Sequence, residues 1–168
     1  MLANKPRREL FNFLSSSLKG EEASKKSQII RPPYVSDINA FGTECQKCDG
    51  KCATLCQEQI IVIAEDKTPY LDLSVTGCTF CDDCADACEF GVLELTCKSD
   101  IAATVDINPA ACMSWNSTMC FSCKDPCLED AIIFQGIFKP VIDETKCTAC
   151  GFCISRCPTS AIDIKAIV

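Results

Sequence analysis

Sixteen of the seventeen cysteines in this chain fall into four runs of four, and no other residue type is so placed to do chemistry. The last run is Cys147, Cys150, Cys153 and Cys157, followed by Pro158, a C-x2-C-x2-C-x3-C-P pattern. The second, Cys78, Cys81, Cys84 and Cys88, repeats that spacing without the proline. The first, Cys45, Cys48, Cys52 and Cys56, has one extra residue in its second gap. The third, Cys112, Cys120, Cys123 and Cys127, opens with a gap of seven residues. Two-residue gaps let a short loop turn around an inorganic cube, so that its sulfurs and amides point inward at different iron corners. Four quartets of thiols are what four 4Fe–4S clusters require.

Other uses of cysteine fit less well. Zinc sites are built from two separated pairs, often with histidine, whereas this chain has no histidine and its cysteines come in quartets. A disulfide scaffold belongs to an oxidising compartment, and no export signal is visible. Arg7-Arg8 is followed by an apolar stretch that fails at Ser15-Ser16-Ser17, short of the apolar region and cleavage site that a signal needs. The seventeenth thiol, Cys97, stands outside the quartets and reads as a small buried or free thiol.

Clusters held by four thiolates leave no position open for a substrate, unlike catalytic metal sites. The commonest acid–base group is absent with histidine, and no phosphate loop or dinucleotide fingerprint is present. The expected chemistry is outer-sphere electron transfer along a chain of clusters, and the protein is not expected to be an enzyme. Asp82, Asp83, Asp86 and Glu89 surround the second run; their charge should favour its oxidised form and lower its potential. Trp115, in the insertion of the third run, is expected to shield that cluster from solvent or to mark a docking surface.

Apolar residues make up 48% of the chain, but only about 38% once the cysteines are set aside. That is thin for a self-supporting interior, so the clusters are expected to serve as core and the cluster-free chain to be largely unfolded. The net charge of −7 is uneven: residues 1–31 carry +4 and the remainder −11. An acidic body should repel nucleic acid and anionic membrane surfaces and steer toward a basic docking patch.

The chain divides into a basic tail, residues 1–40, and two modules, residues 41–107 and 108–168. Leu10, Phe11, Leu14 and Leu18 share one face of a short amphipathic helix in the tail. No segment reads as membrane-spanning. Arg31-Pro32-Pro33-Tyr34 is an extended lead-in, since two prolines forbid helix. First cysteines then recur every 33, 34 and 35 residues, the fixed period of a repeated supersecondary unit. β-prone segments are expected in pairs, at 60–63 with 70–73, 92–95 with 104–107, and 132–134 with 139–142, with 161–167 closing the chain. The fold class is α+β: tandem bacterial-ferredoxin-like βαββαβ modules around four clusters.

In two-cluster units of this kind the last cysteine of a run ligates the other cluster. The expected quartets are Cys45, Cys48, Cys52 with Cys88; Cys78, Cys81, Cys84 with Cys56; Cys112, Cys120, Cys123 with Cys157; and Cys147, Cys150, Cys153 with Cys127. A nested pairing, run one with four and two with three, is the alternative; consecutive units are more often neighbours.

The chain resembles the NapF family of ferredoxin-type accessory proteins of periplasmic nitrate reductase systems. The resemblance rests on Arg7-Arg8 without an export core, on Ile30-Arg31-Pro32-Pro33-Tyr34, and on the four runs with the long first gap of the third. It rests also on Cys123-Lys124-Asp125-Pro126-Cys127 leading to Ala131-Ile132-Ile133-Phe134, and on Cys157-Pro158. It implies a cytoplasmic protein with four 4Fe–4S clusters. Its implied partner is the precursor of the molybdenum-containing catalytic subunit of nitrate reductase, whose maturation it would assist before export. An electron-transfer subunit of a membrane oxidoreductase complex and a stand-alone polyferredoxin are the competing readings.

Overall fold

Every cysteine run leaves its loop by the same turn. In the computed structural model, which describes residues 29–167, the third residue after each run's last cysteine is left-handed. These are Gln59, Gly91, Asp130 and Ser160, with φ of 55°, 65°, 48° and 48°. Each amide donates back to the carbonyl of that last cysteine, at 3.0, 3.4, 3.3 and 3.2 Å respectively. The turn delivers the next two residues into the interior: Ile60-Ile61, Val92-Leu93, Ala131-Ile132 and Ala161-Ile162 are all buried. Only Gly91 is the residue type that adopts this backbone freely. Elsewhere the left-handed residue costs about 1–2 kcal/mol, against about 1.5–3 kcal/mol for burying one large aliphatic side chain.

Four backbone hydrogen bonds then tie the approach to one run to the exit of its neighbour. Ser36 N–H donates to Val92 O (3.0 Å), Asp72 to Ile60 (2.8 Å), Asn108 to Ala161 (2.7 Å) and Asp143 to Ala131 (2.8 Å). Asx turns sit at or beside the same places: Asp37, Asp72, Asn108 and Asp143 each accept from the amide two residues on. These latches join run one to run two and run three to run four.

The architecture is α+β, with short elements throughout. Strands β1 (Ile61–Ile63) and β2 (Pro69–Leu71) form an antiparallel hairpin with Ile61 opposite Leu71. β4 (Ile132–Phe134) and β5 (Pro140–Ile142) form its counterpart. β3 (Ala103–Ile107) pairs antiparallel with β6 (Ile162–Ala166), Ala103 opposite Ala166. The second half thus runs strand, cysteine run, hairpin, cysteine run, strand. In the first half the outer pair shrinks to a single bridge between Val35 and Leu93.

Helices α1 (Phe41–Glu44), α2 (Lys51–Thr54), α3 (Asp83–Asp86) and α4 (Phe152–Arg156) are one turn each. Left-handed residues start the last three: Gly50, Asp82 and Gly151. Each such helix carries a run's third cysteine, Cys52, Cys84 or Cys153, in its first turn, whereas run three is built of turns.

Three expectations are corrected. Residues 92–95 are not a strand paired with 104–107: Leu93 bridges to Val35, and Leu95–Cys97 is a 3-10 turn. The strand at 103–107 finds its partner near the far end of the chain. The Arg-Pro-Pro-Tyr lead-in is not extended throughout, because Tyr34 has φ 76°. It is a core element, with Pro32 and Tyr34 fully buried. Arg31 donates to Thr68 Oγ1 (2.8 Å) and Pro69 O (2.6 Å) and lies 4.5 Å from the centre of the Phe41 ring. The expected amphipathic helix bearing Leu10, Phe11, Leu14 and Leu18 falls outside the described residues. Among the described residues no helix is long and apolar enough to cross a membrane.

Candidate metal centres

Because of the latches, each quartet is closed by a cysteine from the neighbouring run. One cavity is lined by Cys45, Cys48 and Cys52 together with Cys88, and walled by Phe41, Phe90 and Leu93. A second is lined by Cys78, Cys81, Cys84 and Cys56, with Tyr34, Ile60, Phe80 and Leu71. A third is lined by Cys112, Cys120, Cys123 and Cys157, with Ile107, Met113 and Ile162. The fourth is lined by Cys147, Cys150, Cys153 and Cys127, with Val105, Ile132 and Phe152. The grouping joins run one with run two and run three with run four, not the nested arrangement.

The four cavities are nearly equal in size. Equal size four times over suits one kind of prosthetic group bound four times. The sulfurs ring each cavity instead of meeting at a point. Among the described residues no three Cys, Asp or Glu side chains are placed to hold a single ion, as a compact zinc site would require.

Burial governs the thiols. It pushes Cys52, Cys78 and Cys123 up to about 11, and Cys84 and Cys153 up to about 12. The neighbouring thiols of the same quartet push further in the same direction. Bare thiolates are therefore disfavoured in these cavities, and a group bearing compensating iron charge is what would hold them deprotonated. Backbone amides supply part of the remaining compensation. Gly50 donates to Cys48 Sγ, Phe80 to Cys78 and Leu93 to Cys88, each at 3.4 Å, and Ala161 to Cys157 at 3.2 Å. Such bonds stabilise the more negative, reduced state of a thiolate-bound cluster. The donor set and the cavities fit a 4Fe–4S cube.

The second cavity carries a polar cluster that the sequence does not advertise. Asp82 Oδ1 accepts from the buried Tyr34 hydroxyl (2.5 Å) and from Lys98 (2.9 Å). Those hydrogen bonds, Tyr34 first, hold the Asp82 carboxyl below its ordinary range. Burial, then the bond to Asp82, raises the Tyr34 phenol above its own. The acidic group expected to surround this site is thus partly neutralised: Lys98 pairs with Asp82, Lys51 with Glu89, and Asp83 accepts from Gln57 (2.8 Å).

Trp115 does not stand where the shielding role would put it. It does not line the third cavity; Met113 does. Its indole N–H donates to Pro140 O (3.0 Å), pinning the insertion to β5, with Lys139 5.7 Å from the ring. Cys97 lies outside all four cavities, half-buried, beside Thr96. The aromatic walls at Phe41, Phe80, Phe90 and Phe152 were passed over in the sequence. Their signal was position, because each falls within or just beside a run.

Comparison with known proteins supports this chemistry. Residues 140–163, spanning the fourth run, match the family model described as a 4Fe-4S binding domain. The chain is 34% identical over 144 residues to the ferredoxin-type protein NapF of Escherichia coli K12, covering 82% of this chain and 85% of that protein. It is 30% identical to the NapF of Haemophilus influenzae, covering 96% and 94%. It is 28% identical to the methylamine utilization ferredoxin-type protein MauM of Methylophilus methylotrophus, covering 86% and 73%.

Proposed function

The chain belongs to the NapF family of ferredoxin-type proteins, and from that premise we propose that it carries four 4Fe–4S clusters in two βαββαβ modules. It is an iron–sulfur, ferredoxin-type electron-transfer protein. The observation that carries the proposal is the set of four near-equal cavities, each ringed by three cysteines of one run and the last cysteine of its neighbour. Bound there, a cube supplies a reversible one-electron couple.

The chain's own part is to hold, insulate and tune. Cys45, Cys48, Cys52 and Cys88 hold the first site, and Cys78, Cys81, Cys84 and Cys56 the second. Cys112, Cys120, Cys123 and Cys157 hold the third, and Cys147, Cys150, Cys153 and Cys127 the fourth. Phe41, Phe80, Phe90 and Phe152 keep water from the sulfurs, and the amides of Gly50, Phe80, Leu93 and Ala161 steady the thiolates. Four protein ligands per cube leave no position for substrate, which supports a carrier over a catalyst.

The proposed setting is the cytoplasm, where the protein assists maturation of the molybdenum-containing catalytic subunit of periplasmic nitrate reductase before export. This rests on the family resemblance. An acidic body of net −11 beyond residue 31 suits a basic docking patch on such a precursor. The test is anaerobic purification with iron, labile sulfide and EPR analysis, followed by capture of the precursor on the holo-protein. About sixteen irons per chain and retention of the unexported precursor are expected. Zinc in place of iron, or capture of membrane subunits in place of the precursor, would overturn the respective half of the proposal.

A further inference from the structure

The four quartets do not lie in sequence order. Within each half, neighbouring quartets interlock because the latches exchange their last cysteines. Between the halves, the second and fourth quartets meet directly. The Cys78 amide donates to the Cys150 carbonyl at 2.7 Å, so one ligand's backbone touches another's across the seam. Two glycines make the contact possible. A Cβ on Gly77 would stand 2.6 Å from both the Cys150 oxygen and the Phe152 nitrogen. A Cβ on Gly151 would stand 2.9 Å from Leu73. The groove along this seam, about 440 Å³, is lined by Cys78 and Cys150 and by no cysteine of the first or third quartet. The walls of all four cavities are drawn from their own halves, and only the second and fourth quartets reach the groove between them.

Electron tunnelling falls off steeply with distance and runs best through packed, hydrogen-bonded backbone. We propose that electrons cross between the halves at the Gly77–Gly151 seam, through the Cys78–Cys150 contact, so that the sites work in the order first, second, fourth, third. The crossing moves one electron, oxidising one site by one and reducing its neighbour by one, with no bond broken and no proton transferred. The first and third quartets are then the two ends of the wire, and partners exchange electrons there. The inference rests on the proposal that each quartet holds a 4Fe–4S cube.

The experiment uses full-length protein purified without oxygen and reduced with dithionite. Cys48→Ser/Cys120→Ser removes the two ends and leaves the second and fourth sites. Cys81→Ser/Cys150→Ser leaves the first and third. Iron and sulfide are counted in both, and about eight irons are expected in each. An iron count that fails in the unmutated protein sinks the four-cluster reading and is recognised before any coupling is measured. With the count correct, the first variant should give the split EPR spectrum of two interacting clusters, and the second two independent spectra. Splitting in the second variant, or its absence in the first, overturns the order. If these double variants lose their iron, Cys45→Ser/Cys112→Ser, which removes the same two end sites, carries the same test and must keep the split signal of the central pair. Gly77→Ala added to Cys48→Ser/Cys120→Ser should weaken that signal with iron content unchanged, and an unaltered signal counts against the seam.

Discussion

Gly151→Ala separates backbone strain from packing at the seam. Gly151 has φ +88°, and an added Cβ would meet Leu73 Cδ1, Cβ and Cδ2 at 2.9, 3.0 and 3.1 Å. Left-handed backbone costs a residue with a Cβ about 1–2 kcal/mol. Crowding Leu73, which is buried, adds about 1–3 kcal/mol. Reduced freedom of the unfolded chain returns about 0.4–1 kcal/mol, leaving a net loss of about 1–5 kcal/mol. Gly136→Ala is the control: its φ is +74°, but nothing lies within 4 Å of the new Cβ, so only strain remains and the loss stays near 1 kcal/mol. Cluster loss makes unfolding irreversible, so the readout is the rate of anaerobic bleaching in guanidinium. The crowding difference corresponds to about five- to 160-fold faster bleaching of Gly151→Ala than of Gly136→Ala. Combining Gly151→Ala with Leu73→Ala should recover the crowding part as a coupling energy. Equal rates for the two glycine variants, or no coupling with Leu73, would refute the packing assigned to this turn.

Cys88→Ser should cost about four irons and erase the EPR signal that Cys45→Ser erases; loss of the signal that Cys81→Ser erases would contradict the exchange of last cysteines. Lys98→Ala leaves Asp82 without its cation, so the second site's potential should fall in a redox titration, and a rise would count against the charge reading. Arg31→Met removes two hydrogen bonds and the stacking on Phe41; a loss of about 1–3 kcal/mol should appear as faster bleaching that begins at the first site, and unchanged bleaching would show the lead-in to be ornamental. Stripping the clusters anaerobically with a chelator and a mild oxidant should collapse the far-UV circular dichroism, whereas a retained spectrum would mean that the polypeptide holds its fold without them.

The cysteine spacing made the quartets legible before any coordinates, because a loop that wraps a cube can be written in few ways. The hairpins at 61–71 and 132–142 were legible for a similar reason: β-branched residues flank a short polar turn, and both partners lie within a dozen positions. The strand at 103–107 was legible as a strand but not in its pairing, since its partner at 162–166 is chosen by tertiary packing. Residues 92–95 have the composition of a strand yet contribute one bridge, because the latch at Ser36 and the turn at 95–97 use up the surrounding backbone. The latches themselves are invisible in sequence, being amide-to-carbonyl bonds that any residue can make. The left-handed exits were hidden likewise: of Gln59, Gly91, Asp130 and Ser160, only the glycine betrays its backbone. Trp115 was misplaced because a large aromatic signals burial without saying against what.

The exchange of last cysteines sets a timetable for biogenesis. The first binding site lacks a wall until Cys88 has left the ribosome, and the third lacks one until Cys157 has. If each quartet takes its own cluster, as proposed, the amino-terminal pair can be completed while the carboxyl-terminal pair is still being translated. A stalled or truncated product that ends between Cys127 and Cys157 leaves the third quartet one cysteine short.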